Sequence, residues 1–136
     1  MQDKKPGYGT FGNASKQYDN ARQGFPQGII DCLWSVIKTS NPVVLDVGCG
    51  TGISTRQLIR DGVKIVGLDK DPEMVKQAQA KKDGFNYIVA STDGIPFESG
   101  RFDAVTAFSA FHWFCDKNST NEIKRVLKNG GVFFVV

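Results

Sequence analysis

The chain has 136 residues, 40% of them apolar, and its 17 basic and 14 acidic side chains give a net charge of +3. This length and composition predict a globular domain with its own hydrophobic core and argue against intrinsic disorder. No apolar run approaches the roughly 18 residues that a bilayer span requires, and the polar, glycine-rich first residues do not resemble a secretory signal. The basic side chains are dispersed, which disfavours a nucleic-acid-binding face.

The three cysteines, Cys32, Cys49 and Cys115, are odd in number and lie in apolar or loop contexts. They are therefore predicted to be reduced thiols in a cytoplasmic protein. The chain has a single histidine, and no group of cysteine and histidine has zinc-ligand spacing, so no metal site is predicted.

Hydrophobic periodicity and turn residues divide the chain into alternating helices and strands after a flexible start at residues 1–13. Helices are predicted at 14–23, 26–37, 53–60, 72–82 and 119–128. Strands are predicted at 43–47, 63–68, 85–90, 102–108 and 132–136. A turn at 129–131 is expected to cap the last helix.

Strict alternation of strand and helix predicts an α/β fold for residues 14–136. Its form would be a Rossmann-like, doubly wound parallel sheet in a three-layer α/β/α sandwich. In such sheets the ligand lies beyond the carboxyl ends of the strands, at the switch point of the strand order. The loops after four predicted strands converge on that edge.

The most informative segment runs from the strand 43–47 into the loop Gly48-Cys49-Gly50-Thr51-Gly52. Glycine at every second position lets the backbone turn tightly and approach a ligand closely. A dinucleotide fingerprint, G-x-G-x-x-G, would need its third glycine at position 53 or 55, which are Ile53 and Thr55. The spacing therefore disfavours a dinucleotide-binding oxidoreductase, and Asp46 beside the loop suits a ligand with a cationic amine.

Together with Asp46, this loop resembles the first motif of the class I S-adenosylmethionine-dependent methyltransferases, hydrophobic-Asp-x-Gly-x-Gly-x-Gly. The resemblance extends over residues 18–136, and it implies S-adenosylmethionine as cofactor and S-adenosylhomocysteine as product. The triplet at 112–114 is similar to the segment after strand four in the methyltransferase type 11 group that includes trans-aconitate methyltransferase. The segment 122–131 resembles the family's Arg-x-Leu-Lys-Pro-Gly-Gly turn, with Asn129 in place of proline.

The resemblance implies roles for individual residues. Asp46 and Gly48 would meet the methionine end, Asp69 would bind the ribose hydroxyls, and Asp93 would accept from the adenine amine, with Gly94 beside it. The full cofactor-binding set is Tyr18, Arg22, Asp46, Gly48, Cys49, Gly50, Gly52, Asp69, Lys70, Met74, Thr92, Asp93, Gly94 and Ser109.

Several of these residues have an ordinary structural alternative. Tyr18 and Arg22 match a Tyr-x-x-x-Arg pattern of helices that cover the cofactor, but they also suit a surface helix. Met74 could pack on adenine or in the core, and Asp93 could close an Asx-type turn.

His112 is the candidate general base for a hydroxyl or carboxyl acceptor, although a core or capping histidine is the alternative. The aromatic residues at 108–114 suit an apolar small-molecule acceptor. A non-catalytic cofactor-binding module is the other function kept open. A nucleic-acid amino-methyltransferase is weaker, because the segment 109–112 lacks the Asn/Asp-Pro-Pro-Tyr/Phe signature.

The family fold normally continues beyond strand five with a helix and an antiparallel strand pair. The chain is therefore expected to be a truncated domain without that pair, either a monomer or a homodimer that pairs through the edge of strand five.

Overall fold

The computed structural model describes residues 24–108 and 116–136. The predicted flexible start and the predicted helix at 14–23 lie outside the described residues. The described elements, in chain order, are α1 (Gln27–Val36), β1 (Val43–Val47), α2 (Ile53–Gln57), β2 (Lys64–Asp69), α3 (Pro72–Ala80), β3 (Asn86–Val89), β4 (Phe102–Ala107), α4 (Lys117–Val126) and β5 (Leu127–Val135).

Within the described residues, five strands form one sheet in the order β3-β2-β1-β4-β5, and every neighbouring pair is parallel. From β1 the chain first adds strands on one side and then returns to add β4 on the other. The boundary between β1 and β4 is thus the switch point where such sheets bind ligands. The predicted doubly wound α/β fold is confirmed.

Alternate residues of β1 point to opposite faces of the sheet, and each face carries its own core. Val44 packs in a cluster with Ile30 and Leu33 of α1. Leu45 packs in a second cluster with Ile123 of α4. Because helices cover both faces, the sheet is the central layer of three.

The start of α3 carries two common helix-start features. The Asp71 side chain accepts a hydrogen bond from the Glu73 amide at 3.0 Å, and Pro72 occupies the first turn. The N-cap of α4 is Asp116, whose carboxylate accepts from the Ser119 amide at 2.7 Å.

The predicted turn at 129–131 is wrong. β5 begins at Leu127, directly after α4, so no capping turn separates them. Phe102 of β4 pairs with Leu127 of β5, but Ala104, two residues further on, pairs with Val132, five residues further on. The extra residues form a bulge with Gly130 at φ 79°, because a glycine pair can curve within a strand as well as end a helix.

α2 is shorter than its predicted range, since it ends at Gln57. The amides of Leu58 and Ile59 bond to carbonyls three residues back, at 3.1 and 3.4 Å, which tightens the chain out of the α-helix. Among the described helices, none is long and apolar enough to cross a membrane.

Candidate functional site

The glycine loop between β1 and α2 depends on its glycines for backbone conformation. Gly48, Gly50 and Gly52 have φ values of 68°, 56° and 89°, a region that residues with a Cβ rarely adopt. The amides of Gly48 and Cys49 both donate to the Leu68 carbonyl, at 2.7 and 3.1 Å. The loop is thereby tied to the carboxyl end of β2.

Asp46 is fully buried beneath this loop, and three hydroxyls hold its carboxylate. Ser54 Oγ and Thr55 Oγ1 donate to Oδ2 at 2.8 and 2.7 Å, and Thr106 Oγ1 of β4 donates to Oδ1 at 2.8 Å. Burial raises the pKa of Asp46 to about 6, although the three hydroxyls oppose that rise. Asp46 therefore joins β1, α2 and β4 at the switch point.

Asp69 ends β2 and is only half-buried, so it is open to a ligand. Its Oδ2 accepts from the Gly50 amide and its Oδ1 from the Asp71 amide, both at 2.9 Å. Burial raises the pKa of Asp69, and these two backbone donors oppose the rise. Each oxygen keeps capacity for a further hydrogen bond, as recognition of a cis-diol requires.

The two residues predicted to follow Asp69 at the cofactor lie in different environments. Lys70 is exposed. Met74 is 2% exposed, and its Cε lies 3.4 Å from the position of a Cβ built on Gly50. Met74 thus supports the underside of the loop, which is the core-packing alternative, and its contact with adenine stays a prediction.

The loop after β3 presents one predicted residue to solvent and engages another internally. Thr92 is buried, and its hydroxyl shares a 2.8 Å hydrogen bond with the Ser119 hydroxyl of α4. Asp93 and Gly94 are exposed. The Gly94 amide donates to the Ser91 carbonyl at 3.1 Å, which forms a turn and leaves the Asp93 carboxylate accessible.

Aromatic rings and the glycine loop enclose a small pocket at this edge of the sheet. Phe25, which precedes α1, and Phe108, which follows β4, have ring centroids 4.9 Å apart. The pocket is lined by Phe25, Gly48, Cys49, Gly50, Thr51, Ile53, Ser54 and Phe108. Burial, followed by the nearby carboxylates, raises the pKa of the Cys49 thiol well above its usual range, so Cys49 lines the site as a neutral group.

The structure thus brings the glycine loop, Asp46 and Asp69 together, with the turn that carries Asp93 on the same edge of the sheet. Four predicted site residues, Tyr18, Arg22, Ser109 and His112, lie outside the described residues. Sequence reasoning missed Phe25, the Ser54–Thr55 pair and Thr106. The hydroxyls were detectable in principle, since a buried carboxylate needs donors and Thr106 lies opposite Asp46 in the β1–β4 register.

The hydrogen bonding of the Gly50 amide distinguishes two classes of ligand that a glycine loop can bind. A phosphate-binding loop offers free backbone N–H groups to an anion. Here the Gly50 N–H is already donated to Asp69, and two carboxylates lie at or beneath the loop. This edge of the sheet therefore suits a hydroxylated, cationic ligand better than a pyrophosphate.

Comparison with known proteins identifies methyltransferases as relatives of this chain. Residues 45–135 match a family described as a methyltransferase domain. An uncharacterized methyltransferase of Mycobacterium tuberculosis is 32% identical over 122 residues, which cover 90% of this chain and 49% of the relative. Among solved structures, a candidate S-adenosyl-L-methionine-dependent methyltransferase of Methanococcus maripaludis has the same fold, with a TM-score of 0.81 and 19% identity over 99% of this chain and 66% of that one.

Relatives with named acceptors differ in what they methylate. A malonyl-[acyl-carrier protein] O-methyltransferase of Herminiimonas arsenicoxydans is 34% identical over 125 residues, 90% of this chain and 47% of that protein. The Bos taurus 18S rRNA (guanine-N(7))-methyltransferase is 40% identical over 81 residues, 59% of this chain and 29% of that protein. The chain spans about half the length of the first curated relatives that it matches.

Proposed function

Since this chain belongs to the methyltransferase domain family, we propose that it binds S-adenosylmethionine and transfers its methyl group to a small-molecule acceptor. The observation that carries the proposal is the junction of Asp69 with the glycine loop. One carboxylate oxygen fixes the Gly50 amide at 2.9 Å while both oxygens keep acceptor capacity.

The residues at this edge of the sheet fit the cofactor. Asp69 would accept both hydroxyls of the ribose, and the exposed Asp93 would accept from the adenine amine. The methionine end would lie against the loop backbone at Gly48 and Gly50, where positive φ values turn the chain tightly. Asp46, buried and bonded to three hydroxyls, would act on that end through the loop that it supports. When bound, the cofactor supplies a methyl group already activated by its sulfonium.

The protein's own contribution to methyl transfer would be alignment and exclusion of water. Holding two reactants in line contributes roughly 7–11 kcal/mol to such a reaction. The Phe25 and Phe108 rings, which line the pocket at the glycine loop, suit an apolar part of an acceptor. His112 remains the predicted general base for a phenol or amine acceptor, whereas a carboxylate acceptor needs no base.

A small-molecule acceptor is proposed over RNA because the basic side chains of the sequence are dispersed. The named relatives nevertheless act on an acyl-carrier protein and on rRNA. An acceptor screen should therefore include a carboxylic acid, a phenol, a malonyl-loaded carrier protein and an rRNA fragment. Formation of S-adenosylhomocysteine, measured by a coupled assay, would identify the class.

The first experiment is calorimetric titration of the chain with S-adenosylmethionine and S-adenosylhomocysteine. We expect micromolar binding that Asp69→Ala abolishes, because the substitution removes the diol acceptor and frees the Gly50 amide. Asp61→Ala is the matched control, since Asp61 is exposed in the turn before β2, at the opposite end of that strand. A folded wild-type chain that binds neither ligand would refute the proposal, and binding without turnover on any acceptor would favour a non-catalytic module.

A further inference from the structure

At Gly52, the third glycine of the loop, the backbone packs against two protein side chains. A Cβ built on Gly52 would lie 2.8 Å from Arg56 Nη1 and 2.9 Å from Tyr87 Oη. A Cβ at Gly52 would therefore displace the ends of both side chains, and the φ of 89° independently favours glycine there. At this position the absent Cβ makes room for two polar side chains rather than for a ligand.

These side chains form a continuous polar connection from the loop to β3. Arg56 Nη1 donates to the Thr51 carbonyl at 3.0 Å and lies 3.6 Å from Asp83 Oδ2. The Tyr87 hydroxyl donates to the same Asp83 oxygen, and the other oxygen accepts from the Phe85 amide at 2.9 Å. Asp83 is thus anchored in the turn before β3, and through Arg56 it fixes a loop carbonyl.

The connection is buried at Tyr87 and more open toward the loop, where the Arg56 side chain is 28% exposed. Its charged contacts are therefore strengthened by burial mainly at the Asp83–Tyr87 end. Tyr87 is 5% exposed, and the Asp83 side chain is 14% exposed. Burial and the neighbouring Asp83 carboxylate raise the pKa of Tyr87 well above its usual range, so its hydroxyl remains a proton donor. Asp69 holds Gly50 on one side of the loop, and Arg56 holds Thr51 one residue further along.

We infer that Arg56, Asp83 and Tyr87 act together as positioning residues that set the glycine loop in its cofactor-binding conformation. The inference rests on the proposed function and deepens it. These residues would act through the Thr51 carbonyl and the Gly52 backbone. Their loss should therefore weaken cofactor affinity while the fold persists.

The test compares Arg56→Gln and Tyr87→Phe with Arg60→Gln. Arg60 is the matched control, since its guanidinium stacks 4.7 Å from the Trp34 ring on the outer surface instead of contacting the loop. We expect Arg56→Gln to weaken S-adenosylmethionine binding about tenfold, the change that corresponds to the loss of one charge-assisted hydrogen bond. Tyr87→Phe should have a smaller effect of the same sign, and Arg60→Gln should bind like the wild type.

Two further readouts separate positioning from general stability. Arg56→Lys keeps the charge and a donor, so it should restore part of the affinity. Hydrogen exchange of the Gly52 amide, which donates to the Cys49 carbonyl at 2.9 Å, should become faster in Arg56→Gln than in Arg60→Gln. In the double variant, Arg56→Gln with Tyr87→Phe, the losses should be less than multiplicative because both changes break one connection.

The two proposals fail in different ways. A folded wild-type chain without affinity for S-adenosylmethionine refutes the proposed function and this inference with it. If the wild type binds but Arg56→Gln and Tyr87→Phe bind equally well, only the inference is overturned. It is overturned likewise if Arg60→Gln weakens binding as much as Arg56→Gln does.

Discussion

The buried carboxylate of Asp46 should make stability fall with rising pH, which is unusual for an aspartate. Its pKa is raised from 3.8 to about 6 in the folded chain. Between these values the folded state holds a proton that the unfolded state has lost, so raising the pH favours unfolding. The contribution is fully present below pH 3.8 and is lost as the pH rises through about 6. The raised pKa corresponds to about 3 kcal/mol.

The measurement is the free energy of urea unfolding of the wild type and of Asp46→Asn, followed by circular dichroism across this pH window. The asparagine does not titrate, and other groups with shifted pKa values, such as Asp69, are present in both chains. We therefore expect the wild type to lose about 2 kcal/mol relative to Asp46→Asn between about pH 4 and pH 7, most of the full effect, because the unfolded carboxyl is already partly ionised at pH 4. A difference that stays constant, or that grows in favour of the wild type as the pH rises, would refute the reasoning.

Thr106→Val supplies a second arm of the same experiment. Valine keeps the shape of threonine but removes the hydroxyl that donates to Asp46 Oδ1 at 2.8 Å. Since this hydrogen bond lowers the pKa of Asp46, its loss should move the destabilising window to higher pH. An unshifted window in Thr106→Val would show that the hydroxyl does not stabilise the ionised carboxylate.

Three further predictions concern the rest of the chain. Gly84→Ala should lower the free energy of urea unfolding by about 1–2 kcal/mol, because its φ is 87° but its surroundings are open. Gly62→Ala should cost clearly more, since a Cβ there would lie 2.7 Å from the Ser40 carbonyl. Equal costs for the two variants would contradict this prediction. Arg125→Ala should cost about 1–2 kcal/mol in the same assay, because its guanidinium donates to two backbone carbonyls of the loop before β4, both at 2.9 Å. Cys49 should resist iodoacetamide in the folded chain and react in urea, as mass spectrometry of the labelled peptides would show, because burial keeps its thiol protonated.

The strands were predictable because short apolar runs between turn residues have few alternatives in an α/β chain. β1 occupies its predicted range, β2 and β3 differ from theirs by one residue at both ends, and β4 ends one residue earlier than predicted. The segment after α4 was not predictable in this way. Asn129-Gly130-Gly131 permits both a helix cap and a strand bulge, and pairing with β4 decides the outcome through contacts remote in sequence.

The site was predictable in its location and only partly in its contacts. Glycine spacing and the carboxyl ends of the strands identify the edge of the sheet, because both follow from chain order. The Arg56–Asp83–Tyr87 connection was not predictable, since its three members come from α2, a turn and β3 and carry no joint motif. The same holds for Phe25, whose ring meets Phe108 only after α1 has packed on the sheet.

The three predicted aspartates show what a motif leaves undetermined. Asp46 and Asp69 lie in strands and Asp93 lies in the loop after one, so the resemblance assigns all three to the ligand in the same way. Asp46 instead accepts from three hydroxyls, two of them eight and nine residues away and one 60 residues away, and is fully buried. Asp69 accepts from two backbone amides and remains half-buried, and Asp93 is exposed. In the proposed site their burial would match different roles. Asp46 would support the loop, Asp69 would contact both the loop and the ligand, and Asp93 would contact the ligand alone. Asp46→Asn should accordingly change the pH dependence of stability more than cofactor affinity, whereas Asp69→Ala should do the reverse.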